Sequence, residues 1–155
     1  MSAKARFLNK LQGQKARDSE NRAEADIAAF RQRINQLQET METWLAGTDI
    51  RITTFNIPLI EFLIGGGTFS VQGIELRYQQ RGIRFTPIYL YGQGVTGCME
   101  VSLFTVGASN PLYRLFMRNG HQDAWSWLPA GVLSRQSSLF DEDAFFTMIE
   151  PLLPD

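Results

Sequence analysis

Ile74-Glu75-Leu76-Arg77-Tyr78-Gln79 alternates apolar and polar side chains along its whole length. Neighbouring side chains of a strand point to opposite faces, so this pattern buries one face and leaves the other in water. Antiparallel sheets are built this way, whereas strands of a parallel sheet covered on both sides read as unbroken apolar runs. The stretch therefore argues against a doubly wound parallel sheet. Just after it, Gln80-Arg81-Gly82 reads as a hairpin turn and Ile83 to Tyr91 as the next strand. Upstream, Gly65-Gly66-Gly67 breaks the chain ahead of a strand from Phe69 to Gln72. Before that break, Ile50, Ile52, Thr53, Thr54, Phe55 and Ile57 supply the β-branched and aromatic residues of a first strand. Downstream, strands are expected from Cys98 to Val106, Leu112 to Arg118 and Gln122 to Leu128. The spacing predicts an antiparallel meander of about six strands over residues 50–128.

Outside this region the period is helical. Residues 16–46 contain neither Gly nor Pro, and Ile27, Phe30, Ile34, Leu37, Met41 and Trp44 recur at intervals of three and four, with Ala23 extending the series backwards. That is one narrow seam on a long helix, ended by Gly47. The seam suits two roles: covering the apolar face of the chain's own sheet, or pairing through residues 23–44 with a second chain as a homodimer. Residues 1–15 read as a basic, flexible arm. Near the other end, Asp141 is placed to cap a short helix over 141–150, with Phe140 and Phe145 at the two positions of a hydrophobic staple. The expectation is one α+β domain over 1–155: a long N-terminal helix, the sheet, and a short C-terminal helix.

Composition bounds the function. Fifteen Lys and Arg against sixteen Asp and Glu give a net charge of -1, which is not the balance of a polybasic protein. The charge is uneven, however: residues 1–17 carry Lys4, Arg6, Lys10, Lys15 and Arg17 with no acid, and 138–155 carry Asp141, Glu142, Asp143, Glu150 and Asp155 with no base. The single cysteine cannot close an internal disulfide, and Phe7-Leu8 is too short for the core of a signal peptide. The run from Ile57 to Ile64 is broken by Pro58 and Glu61, against the roughly 20 apolar residues of a membrane span. A cytoplasmic protein without a membrane segment is expected.

Chemistry-bearing motifs are sparse. Gly92-Gln93-Gly94-Val95-Thr96-Gly97 spells G-x-G-x-x-G, but an alternating strand follows it instead of a helix, so a hairpin loop is the better reading. Cys98 and His121 are the only Cys and His, and together they form the one conceivable nucleophile pair. No ligand spacing for a metal is present, and no cofactor is implied. Arg77, Tyr78, Arg81, Arg84, Phe85, Tyr89 and Tyr91 interleave cations with rings, yet no nucleic-acid-binding pattern accompanies them. The sharpest candidate is the Asn119-Gly120 hairpin. With a two-residue turn there, Arg118 faces His121, Phe116 faces Asp123, Arg114 faces Trp125 and Leu112 faces Trp127. Arg114, Arg118, His121, Asp123 and Trp125 then form a partner-binding patch. The expected function is a non-catalytic interaction protein, such as an adaptor, inhibitor or immunity-type protein, that recognises another protein. Two alternatives stand beside it: a nucleic-acid-associated protein acting through the basic arm, and a Cys98/His121 enzyme.

Overall fold

Helix α1 (Ala3–Trp44) opens the chain and runs for 42 residues without interruption. The structure, a computed structural model, describes residues 2–61, 67–133 and 136–154. Ser2 caps α1 by accepting a hydrogen bond from the Ala5 amide at 3.1 Å. The helix thus starts at Ala3, well before the residue-16 boundary read from the sequence. Gly13 lies within the added turns, but one glycine costs a helix only about 1 kcal/mol, and good helix formers surround it. At the far end Gly47, at φ 84°, turns the chain out of the helix as expected.

Seven strands follow: β1 (Arg51–Glu61), β2 (Gly67–Tyr78), β3 (Arg81–Gly92), β4 (Val95–Thr105), β5 (Ala108–Asn119), β6 (Ser126–Pro129) and β7 (Ser138–Leu139). They lie in one sheet in chain order, each antiparallel to the next. Helix α2 (Glu142–Ile149) and a 3-10 turn (Glu150–Leu152) complete the fold. The architecture is the expected α+β one, with seven strands where about six were read. The strand that pattern reading overlooks is β7, whose two residues carry no period. The segments read as Phe69–Gln72 and Ile74–Gln79 are a single strand, because Gly73 stays in the ladder and the Phe55 ring fills the space of its missing side chain. The β2–β3 turn is Gln79-Gln80, with Gln79 at φ 55°, rather than Gln80-Arg81-Gly82. Of the break expected at Gly65-Gly66-Gly67, the first two residues lie outside the described ones, and Gly67 begins β2.

The alternation of β2 has the consequence expected of it. Ile74 and Leu76 join Ile83, Phe85, Met99, Val101, Leu115 and Met117 on one face of the sheet. On them lies the α1 seam, where Ala23, Ile27, Phe30, Ile34, Leu37 and Met41 are at most 7 % exposed. Burying each large apolar side chain contributes about 1.5–3 kcal/mol, so the seam and its cover dominate the core. The chain's own sheet occupies the seam, the first of its two readings, so residues 23–44 present no free apolar stripe for pairing with a second chain. Trp44 ends the seam half-buried against Phe140 and Phe145, with ring centroids 6.0 and 5.1 Å away, so α2 sits at the C-terminal end of α1. The staple is formed too, with Asp141 Oδ1 accepting from the Ala144 amide at 2.8 Å and the Phe140 and Phe145 rings 6.3 Å apart.

Candidate functional site

The β5–β6 connection does not keep the register read from Asn119-Gly120. Asn119 and Gln122 exchange backbone hydrogen bonds of 3.0 Å, so the turn is made by Gly120 and His121. Residues 123–125 then leave the ladder, and β6 resumes with Phe116 opposite Ser126, Leu115 opposite Trp127 and Arg114 opposite Leu128. Arg114 has moved three places from the expected Trp125, and an odd displacement sends side chains to the other face. Arg114 consequently lies exposed opposite Glu100 on the face away from α1. Trp125 lies beneath α1, its ring 6.5 Å from Phe30, and the cation over it is Arg33, at 5.6 Å.

The structure therefore brings together Arg118, Asp123 and Trp125, and separates Arg114 and His121 from them. Asp123 accepts from Arg33 at 2.9 Å and from Arg118 at 3.4 Å. Arg118 also approaches Asp26 to 3.6 Å, and Asp26 accepts from the Tyr91 hydroxyl. The Arg33 hydrogen bond and the two cations hold the Asp123 carboxyl below the usual carboxylate range. Each charge in this network has its opposite beside it, and the network ties α1 to β3, β5 and the loop before β6. It works as a strap. His121 stands exposed in the turn.

Cys98 is fully buried, and burial pushes its thiol up to about 11 although the Tyr89 hydroxyl donates to it. An activated nucleophile needs the opposite shift. The glycines of Gly92-Gln93-Gly94-Val95-Thr96-Gly97 have structural roles. Gly92 pairs with Val95 around a Gln93-Gly94 turn, with Gly94 at φ 75°. At Gly97 a Cβ would lie 2.9 Å from both Met117 and the Phe30 ring, so its absence lets α1 close on the sheet. Among the described residues no group of three or more His, Cys, Asp and Glu could hold a metal ion.

The open face of the sheet carries part of the basic and aromatic series, already paired. Arg84 donates to Glu75 at 2.8 Å and lies 4.6 Å over the Phe104 ring and 5.5 Å over that of Phe55. Arg77 lies 5.2 Å over Phe104. Burial alone would raise the Glu75 carboxyl, but the hydrogen bonds and charges of Arg84 and Arg77 outweigh it and hold the group below its ordinary value. Guanidinium groups thus lie over the Phe104 and Phe55 rings on this face. Phe85 is buried on the opposite side, and Arg81 donates to the Pro151 carbonyl at 3.0 Å.

The first half of α1 has no cover, since every residue from 6 to 22 is exposed. Phe7, Leu8 and Leu11 are 66, 44 and 39 % exposed and share one side of the helix, being spaced by three and four. Arg6, Lys10, Gly13 and Arg17 follow another side, where with Asn9 they border a shallow, open depression on the helix surface. The helix is electrostatically strained by its own sequence. Cations occupy its positive end, its first turn holds no acid, and Arg6 and Lys10 repel each other one turn apart. The sequence reads residues 1–15 as a basic, flexible arm and gives Phe7, Leu8 and Leu11 no role. Their three-and-four spacing behind Ser2 was the available signal.

The chain matches no family model, and no curated protein or solved structure shows significant similarity to it. No helix among the described residues is long and apolar enough to cross a membrane.

Proposed function

We propose that this is a non-catalytic interaction protein of the adaptor, inhibitor or immunity type, which uses the first half of α1 to recognise a protein partner in the cytoplasm. One observation carries the reading: a helical arm, residues 3–22, with three large apolar side chains and six cations against two acids stands clear of the domain that supports it. A free helix of this length is marginal in water, and a partner offering negative charge and apolar surface relieves both its exposed rings and its repelling cations. The buried, protonated Cys98 supports the absence of a thiol nucleophile, and slow alkylation of the native protein is the expected check; fast alkylation would return the Cys98/His121 enzyme to consideration.

A photo-reactive side chain placed at Phe7 or Leu11 in the producing cell tests the reading directly. Discrete protein adducts are expected there and absent for the same group at the exposed Thr53 on the open sheet face. Equal, diffuse labelling at both places would remove the arm as a recognition element. Adducts to nucleic acid instead of protein, lost as salt is raised, would favour a phosphate-neutralising arm of Lys4, Arg6, Lys10, Lys15 and Arg17.

A further inference from the structure

Lys10, Gly13 and Arg17 follow one another at intervals of three and four residues and share a face of α1. Nothing lies within 4 Å of the place where a Gly13 Cβ would be, so the shallow depression between Lys10 and Arg17 is open to solvent. Asp143, Phe146 and Glu150 follow one another at the same intervals of three and four. Both acids are exposed, and the Phe146 ring is 39 % exposed although it lies in the last helix of the chain. One surface reads cation, gap, cation; the other reads acid, ring, acid.

The two surfaces cannot meet inside one molecule. Gly13 is near the start of α1, whereas α2 stacks on Trp44 at its end. At 1.5 Å per residue the intervening helix spans about 46 Å. Complementary surfaces at opposite poles of one chain are satisfied by another copy.

We propose that the shallow depression at Gly13 receives α2 of a second copy, whose Phe146 sits over Gly13 while its Asp143 and Glu150 pair with Lys10 and Arg17. The proposal rests on the reading of the arm as the recognition element and names what it recognises. The contact joins two different patches, so it propagates head to tail into open chains, or into rings where the rotation closes.

Sedimentation velocity of the full chain over a concentration series, in about 0.05 M and about 0.5 M salt, tests it. Mass that grows with concentration in low salt and collapses in high salt is expected. Lys10→Glu with Arg17→Glu should raise the concentration of half-association by about tenfold or more, as should Asp143→Lys with Glu150→Lys. Mixing these two reversed variants should restore assembly that neither shows alone. Gly13→Leu, which fills the gap and favours helix, should abolish assembly while circular dichroism shows the fold retained. A wild-type chain that stays monomeric at low salt, or assembly that survives Gly13→Leu, overturns the proposal. Photo-adducts from Phe7 or Leu11 to a different protein, found alongside a monomeric chain, would overturn this docking and leave the arm's recognition role standing. Loss of the adducts as well would remove both. Sedimentation of the monomer with anionic vesicles would likewise overturn docking on a second copy.

Discussion

A methyl group added at Gly82 would lie 2.1 Å from the Phe104 ring, which crosses the ladder to cover it. Gly82→Ala must therefore displace the ring over which Arg77 and Arg84 lie, at a cost of about 1–3 kcal/mol. A lowered thermal midpoint is expected, and an unchanged one would mean that the ring is not held there. Next to it, Glu75 gives the open face a pH dependence. Its carboxyl is held below its ordinary value of 4.5 in the folded chain. The stability this contributes is present above that value and is lost as pH falls through the lower folded one. Urea midpoints at about pH 7 and about pH 3 should converge in Glu75→Gln relative to wild type, and a parallel drop in both proteins would show that Glu75 is not the source. At this scale the sequence was least legible. Asn119-Gly120 announced a turn, but the same dipeptide serves a turn on itself or one starting a residue later, and the pairing of Phe116 with Ser126, distant from the dipeptide, goes with the second. Arg33, the cation that Trp125 meets, lies ninety-two residues away in the chain and leaves no local trace.

Among the elements, legibility follows the strength of the local pattern. The α1 seam was readable because its interval of three and four persists from Ala23 to Trp44, and α2 because cap and staple coincide at Phe140, Asp141 and Phe145. Asp141→Ala should consequently destabilise the protein by about 0.5–2 kcal/mol, measurable by denaturant titration, because the Ala144 amide loses its acceptor. No loss would place the hold on α2 in its rings alone. The start of α1 was misplaced because a glycine weighs more heavily in a pattern than in a folded helix: Gly13 weakens the helix by far less than is needed to end it. The two residues of β7 gave no pattern to find, since their pairing with Ser126 and Trp127 is imposed by the chain on either side.

Across the whole molecule, the two halves of α1 have different duties. The buried core begins at residue 23, and residues 6–22 are all exposed. Removal of residues 2–20 is expected to leave the thermal midpoint within a few degrees of wild type, about what 1 kcal/mol would produce. A fall much larger than this would show that the arm supports the sheet. The long helix, the one-faced sheet and the closing helix could be read ahead of the structure because each depends on periodicity. The strap of Arg33, Asp123, Arg118, Asp26 and Tyr91 could not, since it depends on which elements become neighbours in space.

Strand order matching chain order has a bearing on biosynthesis. Each hairpin can zip onto its predecessor as soon as it leaves the ribosome, since every pairing closes a short loop. Phe30, by contrast, is made early and waits for Met117 and Trp125. At about 5–20 residues per second, the greasy stripe of α1 is naked for several seconds. During that interval a nascent chain resembles an unattended zipper, and slow codons between residues 45 and 110 would lengthen its exposure to chaperones and to aggregation.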